Sequence, residues 1–145
     1  FMMSFQSLGL LVAQVPFGNM TDRFGARAML LAHFVLSSLS WSFYAGSTSA
    51  LVAYVTVLFF GVIGAMDMPA RRTLMMEYSS AKVGKATVVG SLDAIIGLSG
   101  IAAPMIGGLA WSSLGYTAPF YLAATLNIGA SIPLVMLLRS RRTNH

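Results

Sequence analysis

Runs of about 20 apolar residues recur along this chain, separated by short polar or charged clusters. Such a run, wound as a helix, spans about 30 Å of hydrocarbon. Charged residues make up only 9% of the 145 residues, and hydrophobic residues 57%. A soluble domain carries about 25% charged residues, so the chain lacks the polar surface that water requires. The pattern predicts an integral membrane protein, all-α. Lipid offers no partner to open backbone groups, which excludes strands with free edges.

Five spans are expected: Phe1 to Gly18, Ala28 to Ala45, Ala50 to Met76 with an interruption at Pro69, Ala86 to Trp111, and Ala118 to Leu138. With five spans, alternate connections fall on opposite sides. One side then collects Arg23, Arg27, Arg71, Arg72, Lys82, Lys85, Arg139, Arg141 and Arg142, which are all nine basic residues. The other side holds Ala45–Ala50 and Ser112–Thr117, without charge. The positive-inside rule assigns the basic side to the cytoplasm. Trp41, Tyr44, Tyr54, Trp111 and Tyr116 gather toward the opposite side, where an aromatic belt is expected. The net charge of +5 is therefore a topology signal rather than a nucleic-acid surface.

The segment Gly18-Asn19-Met20-Thr21-Asp22-Arg23-Phe24-Gly25-Ala26-Arg27 interrupts the apolar pattern. It reads as a tight turn between the first two spans. Gly18 would end a helix and allow close backbone approach, and Gly25 would take positive φ. Asp22 would pair with an arginine or meet a helix N-terminus, whose dipole favours an anion. The plainer reading is a solvated turn.

These residues carry a resemblance. The segment resembles the signature loop of the major facilitator superfamily, G-x-L-a-D-R-x-G-R-[RK], with Gly18, Asp22, Arg23, Gly25 and Arg27 matching. Met20 replaces the usual Leu, and Ala26 replaces the first closing basic residue. Gly97–Gly108 resembles the fifth-helix motif of exporters in that family, with Pro104, Gly107 and Gly108 matching and Ser99 and Ala103 departing. Met68–Leu74 looks like the cytoplasmic end of the fourth helix of such exporters. The usual fourth-helix arginine is missing from Ala53–Gly61. The resemblance implies part of a twelve-helix bundle, helices two to six or alternatively eight to twelve. Residues 1–138 would form the partial transmembrane domain, and 139–145 a basic cytoplasmic tail or the start of a central linker. The chain opens at Phe1 within an apolar segment, as a piece of a longer protein would.

The fourth span carries Gly97, Gly100, Pro104, Gly107 and Gly108, most of them near one helix face. Small residues let helix backbones approach in lipid, so this face is expected to pack against, or rock on, another bundle. Two acids fall inside spans, Asp67 and Asp93. A carboxylate there should face a partner or a cavity. Asp67 lies one turn before Arg71 and is also the expected partner of Arg23 or Arg27. Asp93 stands about 12 Å along a helix from Lys85, at 1.5 Å per residue. It is a candidate proton or substrate site, or one half of a local ion pair. His33 is expected to bond helix to helix, and Gln6, Gln14 and Asn127 to line a cavity or bridge helices.

The resemblance implies a secondary transporter in the cell membrane, moving a small solute by alternating access, with proton-coupled efflux of an amphipathic compound as the leading reading. Uptake of a sugar, carboxylate or other metabolite, and a non-transporting scaffold or sensor, are the alternatives. The expected partners are the solute, protons, the lipid bilayer and the remaining helices of the same transporter. No cofactor, metal or nucleic acid is expected. No Ser/His/acid set, metal cluster or phosphate loop points to an enzyme.

Overall fold

A computed structural model describes residues 2–78 and 84–142. Lys82 and residues 143–145 of the expected tail lie outside the described residues. Five helices follow one another: α1 (Met2–Phe24), α2 (Ala26–Ala45), α3 (Ala50–Tyr78), α4 (Lys85–Leu114) and α5 (Ala118–Arg142). Four of them contain segments long and apolar enough to cross a membrane: Ala26–Ala45, Ala50–Glu77, Ala86–Leu114 and Ala118–Met136. The exception is α1, the first expected span, where Ser4, Gln6, Ser7 and Gln14 dilute the apolar run. It lies along α3 and still has the 23 residues needed to reach across.

Residue pairs fix the direction of each helix. Phe5 meets Tyr54 and Gln14 meets Met68, so α1 and α3 run parallel. Trp41 meets Phe60 and Arg27 meets Glu77, so α2 and α3 are antiparallel. Ser38 and Tyr44 of α2 meet Ala124 and Phe120 of α5, again antiparallel. This up-and-down order gathers the end of α1, the start of α2, the end of α3, the start of α4 and the end of α5 on one side. All the formal charges of the described helices lie toward that side, as the alternating loops predicted. The last helix, α5, runs on to Arg142.

Pro69 does not interrupt α3, which is helical on both sides of it. The ring removes one backbone donor, a loss that neighbouring helices and Ser/Thr hydroxyls offset in a membrane bundle. Thr73 Oγ1 donates to the Pro69 carbonyl at 2.9 Å.

Small residues hold the bundle together. A Cβ built on Gly61 would overlap the Gln6 carbonyl, and one on Gly9 would come within 2.5 Å of the Leu58 carbonyl. The two backbones therefore touch where α1 crosses α3. Ala13 and Ala65, one turn further along each helix, are buried too. Helices in lipid gain little from apolar burial, so this backbone proximity and its dispersion contacts are the main attraction. Nearer the charged side, Ala26, Met29, Leu30, Met66, Ala70 and Leu134 form a cluster shared by α2, α3 and α5. Two polar groups add interhelical bonds. Ser38 Oγ donates to the Ala124 carbonyl at 2.9 Å. His33 Nδ1 lies 3.0 Å from the Ile63 carbonyl, so that nitrogen carries the proton and bonds helix to helix as expected.

The fourth helix is different. It touches α3 and α5 only lightly, and most of its surface between Gly90 and Leu109 is exposed.

Gly61→Val is expected to force α1 from α3, at a cost of about 1–3 kcal/mol as overpacking. Gly64→Ala, where nothing lies within 4 Å of a built Cβ, should leave stability unchanged. Thermal melts of detergent-solubilised protein compare the two, and equal melting temperatures would rule out the close crossing.

Candidate functional site

The signature segment is not an open loop. Helix α1 continues through Gly18 to Phe24, and α2 starts at Ala26. The only residue between them is Gly25, at φ 86° and ψ 145°. Its N–H donates to the Thr21 carbonyl at 2.9 Å, and its carbonyl accepts from Met29 N–H at 3.2 Å. One residue thus closes one helix and opens the next. Only glycine adopts this backbone region without strain. Gly18, expected to end a helix and admit a close neighbour, does neither: it is helical, and nothing lies within 4 Å of a built Cβ. The continuation of α1 is the reason, since its ladder runs six residues past Gly18.

Asp22 and Arg23 sit exposed on the last turn of α1. Thr21 turns inward, buried, its hydroxyl donating to the Phe17 carbonyl at 2.8 Å. Ala26, which stands where a basic residue was expected, is only 3% exposed and packs in the α2–α3–α5 cluster beside Ala70. A guanidinium there would enter an apolar cluster, so the departure at position 26 is a packing choice.

Arg27 carries the charge across. Its Nη2 lies 3.4 Å from Glu77 Oε2 on the last turn of α3, with the Arg27 side chain 11% and the Glu77 side chain 44% exposed. A cation at a helix N-terminus and an anion at a C-terminus are each disfavoured by their own helix dipole. Their pairing offsets both. Asp67 forms the local pair that its spacing predicts, with Arg71 in its own helix, rather than meeting Arg23 or Arg27. Arg71 Nη2 contacts Asp67 Oδ2, and Arg71 Nε donates to Asp67 Oδ1 at 3.3 Å. The i,i+4 spacing holds this pair and leaves the cross-helix role to Glu77.

Between α3 and α4 lies a cavity of about 140 Å³ lined by Asp67, Met68, Arg71, Arg72, Met75, Val89 and Asp93. It joins two residues proposed from sequence, Asp67 and Asp93, with the two arginines. Asp93 is exposed rather than buried within these five helices. A larger space, about 370 Å³, continues beside it between Met75, Met76, Ala86, Val89 and Gly90.

The glycines of the α4 Gly/Pro face make no close approach to another described helix. Nothing lies within 4 Å of a Cβ built on Gly97, Gly100, Gly107 or Gly108, and Pro104 is exposed. Close approach occurs instead at Gly9 and Gly61, which sequence reasoning missed. The signal was present: Gly9 with Ala13 and Gly61 with Ala65 are both small-xxx-small pairs. Asn127, expected to line a cavity or bridge helices, donates to the Ala123 carbonyl of its own helix at 2.8 Å. Of the aromatic residues, half-buried Trp41 stacks with Phe120 and packs at a tilt on Phe60, and half-buried Tyr44 meets Phe120 edge-on. Trp111 and Tyr116 stay exposed at the uncharged side.

Four apolar spans in up-and-down order, with the charges gathered on one side, define a multi-pass helical membrane protein. The chain belongs to the major facilitator superfamily, whose family profile matches residues 1–145. It is 32% identical over 125 residues to the "Tetracycline resistance protein, class B" of Escherichia coli, covering 86% of this chain and 30% of that protein. It is 28% identical over 139 residues to the "Tetracenomycin C resistance and export protein" of Streptomyces glaucescens, covering 93% and 25%. It is 27% identical over 125 residues to "Multidrug resistance protein 2" of Bacillus subtilis, covering 86% and 31%. The chain thus spans between a quarter and a third of the length of these relatives. No solved structure matches it.

Two substitutions probe the helix junction. Ala26→Arg should lose folded protein, while Ala26→Ser should be tolerated, as judged by monodisperse yield after detergent extraction. A double-mutant cycle of Arg27→Gln and Glu77→Gln, read by thermal melting, should give a coupling of roughly 0.2–1 kcal/mol, the range for a partly exposed pair. A coupling of zero would remove Glu77 as the partner.

Proposed function

We propose that the chain is part of a secondary active transporter that exports an amphipathic small molecule by alternating access, driven by protons. The observation that carries this reading is the family match over the whole chain, together with relatives named for resistance and export. Asp93 adds a chemical reason. It is an acid within an apolar span, where a carboxylate is costly and tends to mark an ion or proton path. Here it is a proton or solute site at the mouth of the α3–α4 cavity.

In this reading the five helices are helices two to six of twelve, in the cell membrane, with the basic side in the cytoplasm. The unpartnered Gly/Pro face of α4 receives helices of the same transporter outside this chain, and those two surfaces rock against each other. Gly18, Asp22, Arg23, Gly25 and Arg27 act as the conformational switch. The one-residue junction at Gly25 makes α1 and α2 move together, and the Arg27–Glu77 pair ties both to α3.

The test uses everted membrane vesicles energised by respiration. Adding tetracycline or another amphipathic drug should release protons from the vesicle lumen as the drug enters. Solute-independent proton retention would favour a scaffold, and proton movement in the opposite sense would favour uptake. Asp93→Asn should abolish the coupled flux with expression unchanged, and unaltered flux would remove Asp93 from the pathway. Orientation is checked separately. Thr48→Cys should react with a membrane-impermeant maleimide in intact cells and Arg23→Cys should not.

A further inference from the structure

The α3–α4 cavity holds two carboxylates and two guanidiniums. One of each is already committed. Asp67 and Arg71 bond to each other through both arginine nitrogens on that side. Arg72 and Asp93 remain, on opposite walls of the same 140 Å³ space. Arg72 is exposed, as is Asp93, and no hydrogen bond or ion pair joins either to another described residue. Asp93 stands on a helix whose membrane segment, Ala86–Leu114, carries no other charge. A carboxylate there is stabilised by a nearby cation. Among the described residues that face it, α3 offers Asp67, Arg71 and Arg72. The other helix touching α4 is α5, and between Ala118 and Met136 it carries no charged side chain, only the phenol of Tyr121.

We propose that Arg72 is the charge partner of Asp93, and that the two form an ion pair across the α3–α4 cavity. Arg71 is unsuited because it would have to abandon Asp67, leaving that carboxylate half-buried and unpaired. Arg72 gives up nothing. Its long, exposed side chain lines the same small cavity as Asp93. Arg72 is thus a positioning residue. It orients the Asp93 carboxylate toward α3 across the cavity that both line. The pairing is independent of any transported solute, so it stands or falls separately from the transport reading.

The test is a charge exchange in the full-length protein, read by thermal melting in detergent. Arg72→Asp and Asp93→Arg should each lower the melting temperature by at least about 2 °C, the shift expected from losing a modest interaction in a protein of this kind. The exchanged protein, Arg72→Asp with Asp93→Arg, should recover most of that loss. Losses that simply add in the exchanged protein would overturn the pairing. Proton-coupled flux should stay absent in the exchanged protein, because an arginine at position 93 carries no exchangeable acid proton at neutral pH. Should the reversals fail to fold, Arg72→Cys with Asp93→Cys decides. Mild oxidation should join α3 to α4 by a disulfide, which requires Cα atoms within about 7 Å in at least one populated state. Absence of a link with both the oxidant and a short bis-maleimide would overturn the proposal.

Discussion

The contact of α1 with α3 at Gly9 and Gly61 is the constraint on which the rest of the bundle depends. Two helix backbones can touch only where neither carries a side chain, and here the α3 carbonyl of Leu58 and the α1 carbonyl of Gln6 fill the space that a Cβ would take. Once α1 lies along α3, the single-residue junction at Gly25 leaves α2 few ways to turn back. It runs antiparallel to α3 and presents Ala26, Met29 and Leu30 to Met66 and Ala70. The α2 surface then receives α5 through Ser38 and Leu134. In water these contacts would be driven by apolar burial. In lipid they rest on shape, which is why the most buried positions are small, Ala70 at 0% and Ala65 at 1% exposure, rather than large.

The charged side follows from that packing. With α2 and α3 antiparallel and close, their charged ends face each other, and Arg27 finds Glu77. Asp67 lies deeper on α3 and is satisfied within its own helix. Arg71, Arg72 and Asp93 join it in lining the gap between α3 and the loosely attached α4. Packing is dense on one side of α3 and open on the other, so the helices divide into a firm group, α1, α2, α3 and α5, and one loosely attached helix, α4. Asp67, Arg71, Arg72 and Asp93 lie at the boundary between the two.

The helical class, the approximate spans and the separation of charge were legible in the sequence because each depends on a local property: length of an apolar run, or the count of basic residues in a short segment. Gly25 was legible for the same reason, since a glycine two residues after Arg23 and just before an apolar run marks a positive-φ junction. Gly18 was misread because a glycine within a turn motif says nothing about whether the preceding helix has stopped. The Gly/Pro series of α4 permits close approach, while the close backbone contact among the described residues lies at Gly9 and Gly61. Composition marks where close approach is permitted, not where a neighbour stands.

By itself, then, the sequence determined that the chain is a set of membrane-spanning helices with all its basic groups on one side, because hydrocarbon thickness and charge solvation act on each segment separately. The tertiary structure decided the pairings. It gave Arg27 to Glu77 rather than Asp67, put Ala26 in the core where a basic residue was expected, and set Arg72 opposite Asp93. Those outcomes depend on the rotation and register of one helix against another. Rotation and register are set by many small contacts at once, and no single residue's chemistry carries them.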